Sequence, residues 1–293
     1  MIEGEYQGFD VRIDDPGIAV FTFNQPERLN AMGSGTRRDL VELLTIAQLD
    51  DSVRVIVFTA TGRGFVAGVN NAAVKDGETQ PEDPVLGPPI PAHAHAPIDL
   101  YGRLSFHGQE LPRTIRRLDK ITIAAVNGFA IQLGLSIVLA CDFAVAARSA
   151  KLGSATLRMG WQPDEGGHWL LVEHLGVKGA MDFLMRKRLV DADQAQTLGL
   201  VNEVVNDDQL AARAMELATE LAEGPQVAMR LLKKAVYNAA RLTFDQAGDD
   251  IATKTAISDF HLDAREGSVA FFAKEPATFN KWLTGDEPVD GHL

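Results

Sequence analysis

A short segment near the middle of the chain carries two acids and a histidine in close succession. It reads Pro163-Asp164-Glu165-Gly166-Gly167-His168. Carboxyl and imidazole groups often move protons in enzymes, so Asp164, Glu165 and His168 are candidate acid–base residues. A structural role is the alternative, because acids after a proline can open a helix and satisfy its free N–H groups. His168 would then lie one helical turn after Asp164.

The two adjacent acids are expected to have unequal roles. Neighbouring residues at a helix start point about 100° apart, so only one of them should face a substrate. We predict that Glu165 does so, because its longer side chain reaches further. The other acid should cap the helix or contact solvent, and Asp164 is the better capping residue by type.

A predicted strand, turn and helix precede these acids and could supply a binding site for negative charge. Ile121 to Val126 is a β-branched apolar run that predicts a buried strand, which Asn127-Gly128 ends. Ile131 to Ala140 is apolar, with a polar residue at Gln132, and predicts a buried helix. The free N–H groups at its start would stabilise a carbonyl that gains negative charge. An ordinary unit of a hydrophobic core is the alternative.

A second strand end could supply another donor. Val53 to Ala60 predicts a buried strand that leads into residues 61–70, which read Thr-Gly-Arg-Gly-Phe-Val-Ala-Gly-Val-Asn. Small residues there let the backbone approach a ligand closely. Two such turns can aim two N–H groups at one oxyanion, and each donor can lower a barrier by roughly 3–4 kcal/mol.

Five motifs resemble those of the crotonase superfamily, the enoyl-CoA hydratase/isomerase family. In chain order they are residues Asn24 to Met32, Gly62 to Asn70, Ile123 to Asp142, Gly199 to Val205 and Glu266 to Phe272. The resemblance spans about residues 8 to 282. It implies an α/β fold, with a spiral core of ββα units that holds the active site in residues 1–207. It also implies a C-terminal helical region, 208–293, that packs on a neighbouring subunit in a homotrimer or a dimer of trimers.

Uncharged residues occupy the positions of the family's two hydratase glutamates. The resemblance places these positions at Ser136 and Thr156, and neither side chain titrates near neutral pH. Hydration needs one carboxyl to activate water and one to protonate carbon. We therefore expect isomerase-like or hydrolase-like chemistry rather than simple hydration. The family's oxyanion donors are backbone N–H groups, which the resemblance assigns to Val69 and Leu133.

The resemblance implies an acyl-CoA thioester as the substrate. Val69 and Leu133 would hold the enolate oxygen while Asp164 or Glu165 shuttles a proton. No metal or redox cofactor is expected, and CoA would enter as part of the substrate. The residues implied for contact with the substrate or with CoA are Arg28, Ala67, Asn70, Ser136, Thr156 and Lys274.

Other branches of the superfamily also place a working acid in the segment of residues 163–168. Dienoyl-CoA isomerases and 4-chlorobenzoyl-CoA dehalogenases have an aspartate that aligns with Asp164. In 6-oxocamphor hydrolase, an aspartate and a histidine align with Glu165 and His168. That similarity favours one alternative function, hydrolysis of a carbon–carbon bond in a cyclic β-diketone with His107 as a base. A non-catalytic binding protein with this fold is another.

Composition restricts the partners and the compartment. The net charge of −12 argues against a nucleic-acid partner, and the basic cluster Arg113-Arg116-Arg117-Lys120 is interpreted as a solvated face or a phosphate contact. The longest apolar runs are too short for a membrane span. The acidic N-terminus lacks the apolar core of a signal peptide, so we expect a cytoplasmic protein. Cys141, the single cysteine, is predicted to be a buried core residue.

The remaining patterns predict further elements. Residues 80–97 contain six prolines and predict a surface loop. His93 and His95 in that loop could bind a metal, but no acidic or cysteine partner is nearby, so no metal site is predicted. Asp142 is predicted to be structural. The other predicted elements are strands Phe9–Asp14 and Gly17–Phe23 and helices Thr36–Leu49, Ile98–Leu118, Asp208–Glu223, Pro225–Leu242, Phe244–Arg265 and Glu266–Ala273.

Overall fold

A large β-sheet forms the frame of the fold. The computed structural model describes residues 3–69, 84–87 and 97–284. Seven of the described strands are β1 (Gly4–Tyr6), β2 (Phe9–Asp14), β3 (Ile18–Phe23), β4 (Val55–Ala60), β6 (Ile121–Val126), β8 (Phe143–Ala147) and β11 (Glu203–Val205). They lie side by side in the order β1-β2-β3-β4-β6-β8-β11. The first three are antiparallel, and the pairs from β3 to β11 are parallel.

A second, smaller sheet consists of four strands of three residues each. Its strands are β5 (Gly64–Val66), β7 (Phe129–Ile131), β9 (Lys151–Gly153) and β10 (Leu189–Asp191). The order is β10-β9-β7-β5, with β5, β7 and β9 parallel and β10 antiparallel. Strands β4 and β6 of the large sheet each lead directly into a strand of this small sheet. The resulting alternation of sheets is the spiral that the resemblance implies.

Helices connect and cover the sheets. They are α1 (Ser34–Leu49), α2 (Pro97–Arg103), α3 (Glu110–Arg117), α4 (Leu133–Ala140), α5 (Gly167–Met185), α6 (Ala192–Thr197), α7 (Leu210–Glu223), α8 (Gln226–Ala239), α9 (Phe244–Asp259), α10 (Leu262–Ala273) and α11 (Lys281–Thr284). A π-helical segment, Leu104–Gly108, joins α2 to α3. None of the helices within the described ranges has the length and apolarity needed to cross a membrane.

Apolar side chains cover both faces of the large sheet. Along β3, Ala19 and Phe21 face the side that packs on α1 and α4, while Ile18 and Val20 face the side that packs on α7. Successive strand residues point to opposite faces, so a strand covered on both sides must be apolar throughout. Helix α7 therefore contacts the sheet of its own chain. The predicted division at residues 207 and 208, and packing on a neighbouring subunit, stay predictions.

A buried polar cluster fastens α8 to the core. The Asp142 carboxylate accepts hydrogen bonds from the Thr122 N–H at 2.7 Å, the Lys233 Nζ at 2.7 Å and the Tyr237 hydroxyl at 2.6 Å. These contacts confirm the predicted structural role of Asp142. The neighbouring Cys141 is buried as predicted, and burial raises the pKa of its thiol.

Three predicted helices were wrong in their extent. The helix predicted over Ile98–Leu118 is divided by the π-helical segment, and Ile131, predicted to be helical, lies in β7. The helix predicted over Phe244–Arg265 ends at Asp259. His261 forms the N-cap of α10, because its Nδ1 accepts the Asp263 N–H at 3.2 Å. A local side-chain cap therefore overrides a continuous helical pattern.

The interpretation of the basic cluster of residues 113–120 as a solvated face or a phosphate contact was wrong for Lys120. Lys120 lies beyond the end of α3 and is buried, where it donates to the carbonyls of Asp50 at 2.8 Å and Val53 at 2.7 Å. Arg113 and Arg116 are paired with Glu110 and Glu173, respectively. Arg117 lies 3.9 Å from the Glu110 carboxylate, so all four cationic side chains of the cluster make contacts within the chain.

The proline-rich segment is described only at residues 84–87 and at Pro97. Its described part is attached to α1, because the buried Asp39 carboxylate accepts the N–H groups of Val85 at 2.9 Å and Leu86 at 2.8 Å. His93 and His95 lie outside the described residues. Within the described ranges, no cluster of three or more metal-ligating side chains is present.

Candidate active site

A cavity of about 1080 Å³ opens where the small sheet meets the segment of residues 163–168. Both strand ends that were predicted to supply oxyanion donors reach this cavity, and so do all three candidate acid–base residues. The described lining includes Val69, Gln132, Thr156, Asp164, Glu165 and His168. The fold therefore brings together residues that are about one hundred positions apart in the chain.

Close backbone packing places the two predicted oxyanion donors at the same end of the small sheet. Strands β5 and β7 run parallel, so the turns that follow them lie side by side. A Cβ atom on Gly134 would lie 2.0 Å from the Val66 carbonyl oxygen, so the start of α4 can approach β5 this closely only with glycine there. Gly68 has a φ of 102° and lies against Ile131 and Gln132. These contacts bring the turn at Gly68 next to the residues that precede α4.

The N–H groups of Val69 and Leu133 are the two predicted oxyanion donors. Neither donates a hydrogen bond to a residue that the structure describes. Leu133 is the first residue of α4, where an N–H group has no intrahelical acceptor. The loop before Val69 is fixed by two backbone hydrogen bonds, from Ala67 to the Leu29 carbonyl and from Met32 to the Gly68 carbonyl, both at 3.0 Å. Fixed, unpaired donors of this kind are suited to an oxyanion.

Two asparagines hold the turn that leads to Val69. The Asn30 Nδ2 donates to the carbonyls of Thr61 at 2.9 Å and Gly64 at 2.8 Å. Asn127 Nδ2 donates to the Gly62 carbonyl at 2.8 Å. Both asparagines belong to the motifs noted in the sequence, so those motifs position the site without contributing charge to it.

Glu165 is a buried carboxyl group that lines the cavity. Its side chain is 2% exposed. Burial raises the pKa of Glu165, and the negative charge of Asp164, whose carboxyl lies within hydrogen-bonding reach, raises it further. A carboxyl group shifted in this direction is better matched to proton transfer near neutral pH than an exposed one.

Asp164 lines the same cavity and does not cap α5. The helix begins at Gly167, and its N-cap is Gly166, with a left-handed φ of 84° and no side-chain cap. The predicted capping role of Asp164 was therefore wrong. The chain turns at Gly166 before the helix starts, which leaves both acids in the preceding loop.

Arg37 on α1 also lines the cavity and was not found from the sequence. Its Nε donates to the Gly33 carbonyl at 3.3 Å. Burial lowers the pKa of Arg37, and the charges of Glu165 and Asp164 oppose that shift. Nothing in the spacing of α1 distinguishes Arg37 from the neighbouring Arg38, so only the tertiary structure identifies it.

Comparison with known proteins supports the assignment that this geometry suggests. A sequence model of the enoyl-CoA hydratase/isomerase family matches residues 14–89 and 90–282. The chain belongs to this family. It is 34% identical to the 1,2-epoxyphenylacetyl-CoA isomerase of Escherichia coli K12 over 90% of this chain and 95% of that protein. It is 29% identical to the crotonyl-CoA hydratase of Syntrophomonas wolfei, over 89% and 94% respectively.

Solved structures of the family share the fold. The enoyl-CoA hydratase/isomerase of Cupriavidus metallidurans CH34 superposes with a TM-score of 0.83 at 25% identity, over 94% of this chain and 97% of that one. The enoyl-CoA hydratase of Mycobacterium smegmatis superposes with a TM-score of 0.81 at 26% identity, over 93% and 99%. The predicted crotonase-like α/β fold is therefore confirmed.

The two positions assigned to the family's hydratase glutamates differ in their surroundings. Ser136 on α4 is 0% exposed and is not part of the cavity lining. A Cβ atom on Gly167 would lie 2.8 Å from the Ser136 Oγ, so the start of α5 lies directly over this side chain. Thr156 does line the cavity, and its Oγ1 donates to the Gln132 Oε1 at 3.3 Å.

Gln132, the residue before α4, has an unusual backbone. Its φ is 54° and its ψ is −100°, a region that costs a residue with a Cβ atom about 1–3 kcal/mol. Its side chain is buried and polar. Nε2 donates to the Glu165 Oε2 at 2.9 Å, and Oε1 accepts the Ser154 hydroxyl at 2.8 Å.

Both candidate histidines reach the cavity. His168 Nδ1 is buried and has no hydrogen-bond partner among the described residues. His107 lies in the π-helical segment, where burial lowers the pKa of its imidazole and the charges of nearby arginines, Arg38 first, lower it further. Each is therefore placed near the predicted chemistry, although neither contacts Glu165 through a hydrogen bond within the described part of the chain.

The predicted CoA contacts are dispersed within one chain. Ala67 lines the cavity, and Asn70 lies outside the described residues. Arg28 is half exposed beside Glu27, and Lys274 ends α10 at the surface. Neither cation belongs to the cavity lining. Their roles in binding CoA stay predictions.

Proposed function

We propose that this protein moves a proton within an acyl-CoA thioester and thereby shifts a carbon–carbon double bond. The thioester oxygen would accept hydrogen bonds from the Val69 and Leu133 N–H groups. In a 3-enoyl-CoA, the Glu165 carboxylate would take a proton from C2, and the electrons of that C–H bond would delocalise into the dienolate. Glu165 would then return a proton to C4, which leaves the double bond between C2 and C3.

The buried Glu165 carboxyl carries this proposal. It lines the same cavity as Val69 and as Gln132, the residue before Leu133, and its pKa is raised by burial and by Asp164. One base that takes and returns a proton suffices for isomerisation, whereas hydration needs a second group to activate water. The oxyanion donors lower the barrier by stabilising the enolate, which is the species that forms when C2 loses its proton.

The vacant hydratase positions support isomerisation over hydration. Ser136 is enclosed beneath Gly167 and Thr156 donates its hydroxyl to Gln132, so neither can act as a general acid or base. The names of the relatives include an isomerase, at 34% identity, and a hydratase, at 29%. Those names leave both reactions open, so the choice rests on the side chains in the cavity.

The alternatives receive less support. Hydrolysis of a cyclic β-diketone would use His107 or His168, and both reach the cavity, but the relatives named above act on CoA thioesters. A non-catalytic binding protein would not require a buried carboxyl group, because removing such a group from water costs free energy. We therefore also propose CoA as part of the substrate, with no separate cofactor, and Arg28 and Lys274 as its phosphate contacts.

Parallel assays of isomerisation and hydration test the proposal. We expect the protein to convert 3-hexenoyl-CoA to 2-hexenoyl-CoA and to hydrate crotonyl-CoA near the background rate, because losing one positioned acid or base already costs about 10²–10⁴-fold. Calorimetry with octanoyl-CoA measures binding independently of turnover. Rapid crotonyl-CoA hydration without isomerisation would contradict the proposal.

A further inference from the structure

A chain of polar contacts connects Glu165 to two hydroxyl groups through Gln132. On one side, the Gln132 Nε2 donates to the Glu165 Oε2 at 2.9 Å. On the other, the Gln132 Oε1 accepts the hydroxyls of Ser154 at 2.8 Å and Thr156 at 3.3 Å. Ser154, Gln132 and Glu165 are all buried. This series of hydrogen bonds therefore begins at the Glu165 carboxyl and ends at hydroxyl groups, one of which, that of Ser154, is in the protein interior.

The contacts fix the orientation of the Gln132 amide. An ionised carboxylate can only accept hydrogen bonds, whereas a hydroxyl can donate one. With the carbonyl oxygen satisfied by two hydroxyls, the amide nitrogen must face Glu165. The side chain thus has little freedom to rotate away from the carboxylate. Its partners come from distant parts of the chain, since Ser154 and Glu165 lie 22 and 33 residues after Gln132.

The backbone conformation of Gln132 is unfavourable for any residue with a side chain, which indicates that the glutamine side chain is needed at this position. A φ of 54° with a ψ of −100° suits glycine far better than glutamine. Strained conformations in a cavity persist only when surrounding contacts hold them. Here the side-chain contacts add to a backbone hydrogen bond from the Gln132 N–H to the Gly153 carbonyl at 2.9 Å. A glycine would relieve the strain but would remove the link to Glu165.

We propose that Gln132 is a positioning residue that holds the Glu165 carboxyl toward the substrate without fixing its charge. A cation in this position would bind the ionised carboxylate and oppose its protonation. A neutral amide can hydrogen-bond the carboxyl both when it carries a proton and when it does not. This property suits a group that must take a proton from one carbon and return it to another. The inference rests on the proposed function, because it assigns Glu165 the proton transfer.

The inference also gives Thr156 a role. The position that holds a glutamate in hydratases of the family holds a hydroxyl here, and that hydroxyl supports Gln132. Gln132 and Thr156 therefore act together on Glu165. The working acid would have moved to residue 165, with residues 132 and 156 changed to hold it.

The test compares Gln132→Met with Gln132→Gly. Methionine keeps the bulk and removes the hydrogen bonds, whereas glycine removes the side chain and also relieves the backbone strain. Both variants should lose about tenfold to a hundredfold in kcat on 3-hexenoyl-CoA with little change in KM, as expected for a displaced catalytic group. The acid limb of the pH profile of kcat should move to higher pH, because a hydrogen bond that lowers the pKa of Glu165 is lost. Ser154→Ala, which lies outside the cavity lining, should give a smaller change in the same direction.

Glu165→Gln, measured beside these variants, separates the two proposals. If it is inactive while both Gln132 variants keep the wild-type kcat and pH profile, Gln132 has no positioning role and the proposed function stands. If the Gln132 variants melt at a lower temperature but keep the wild-type pH profile and kcat, their role is structural and the inference is overturned. If Glu165→Gln keeps full activity, the proposed function itself fails.

Discussion

Glu165 is a carboxyl group that the fold holds away from water and next to a second acid. Both circumstances disfavour its charged form, and both are visible in the structure as burial and as the adjacent Asp164. The stabilising contact that opposes them is the neutral amide of Gln132. The charged form of Glu165 therefore costs stability, which suits the proton transfer proposed for it.

The two adjacent acids should respond differently to isosteric substitution. Glu165→Gln should reduce turnover of 3-hexenoyl-CoA at least about a hundredfold, because the proton acceptor is removed. Asp164→Asn should keep most of the turnover but shift the acid limb of the pH profile to lower pH, because a charge that raises the pKa of Glu165 is gone. Steady-state kinetics across pH measures both. The opposite pattern would show that Asp164, rather than Glu165, transfers the proton.

Glu165 should make the protein less stable as pH rises. A carboxyl group in an ion pair has the opposite effect. Its pKa is higher in the folded state than in the unfolded chain, so the folded state binds more protons above the unfolded value of 4.5. The free energy of unfolding contributed by this group is therefore greatest at low pH and falls as pH rises through that window. Glu165→Gln should remove this dependence and raise the melting temperature at neutral pH. Thermal melts of the two proteins from pH 4 to pH 8 would contradict this if their difference did not change with pH.

At the scale of elements, the attachment of α8 depends on the buried Lys233–Asp142 pair. Lys233 is 4% exposed and lies 2.7 Å from the Asp142 carboxylate. Removing one partner of a buried pair leaves an uncompensated charge. We expect Lys233→Met to lower the free energy of unfolding by about 3 kcal/mol, measured in urea at fixed protein concentration.

The neighbouring residue provides a matched control. Lys234 is 50% exposed and pairs with Asp119 at the surface. Exposed ion pairs contribute about 0–1 kcal/mol, so Lys234→Met should change stability little. Equal effects of the two substitutions would show that the buried pair is not what fastens α8.

Elements with long runs or periodic patterns of apolar residues were predicted from the sequence. Elements that depend on contacts with distant parts of the chain were missed. β3, β4 and β6 appear as apolar runs because the sheet is covered on both faces. β5, β7, β9 and β10 have three residues each, which is too short for any period to appear. The start of α5 was misplaced because Gly166, rather than either acid, takes the cap position.

The candidate site was predictable only in part, for the same reason. Val69 and Leu133 could be predicted because the family motifs extend across them, and Asp164 and Glu165 because two acids and a histidine lie together in residues 163–168. Gln132 was noted as a polar residue in an apolar segment, but its contacts with Ser154 and Glu165 come from other parts of the fold. Arg37 lies on an amphipathic helix where a charged residue is ordinary, so its approach to the acids was not predictable.

At the scale of the whole molecule, the C-terminal helices present an apolar surface that one chain does not cover. The large exposed side chains of α9 and α10 and the turn between them are Phe244, Ile251, Ile257, Phe260, Val269, Phe271 and Phe272. Many exposed apolar side chains on neighbouring helices are typical of an interface between subunits. The predicted homotrimer or dimer of trimers would bury it.

Light scattering should therefore give roughly three or six times the chain mass of 31.7 kDa. A matched pair of variants connects the assembly to this surface. Phe271→Glu should reduce the measured mass, because it places a charge in the apolar surface, whereas a change of the exposed Glu216 on α7 to Gln should not. A monomer at micromolar concentration in the unaltered protein would contradict the prediction.

The central claim, that Glu165 removes a proton from the carbon next to the thioester and that no water is added, can be tested with a labelled substrate. A 3-enoyl-CoA carrying two deuterium atoms at C2 would be incubated with the protein, and the products would be analysed by mass spectrometry and NMR. We predict a 2-enoyl-CoA that retains one deuterium at C2, no product heavier by one water molecule, and a rate at least about a hundredfold lower with Glu165→Gln. A 3-hydroxyacyl-CoA product formed equally fast by both proteins would contradict the claim.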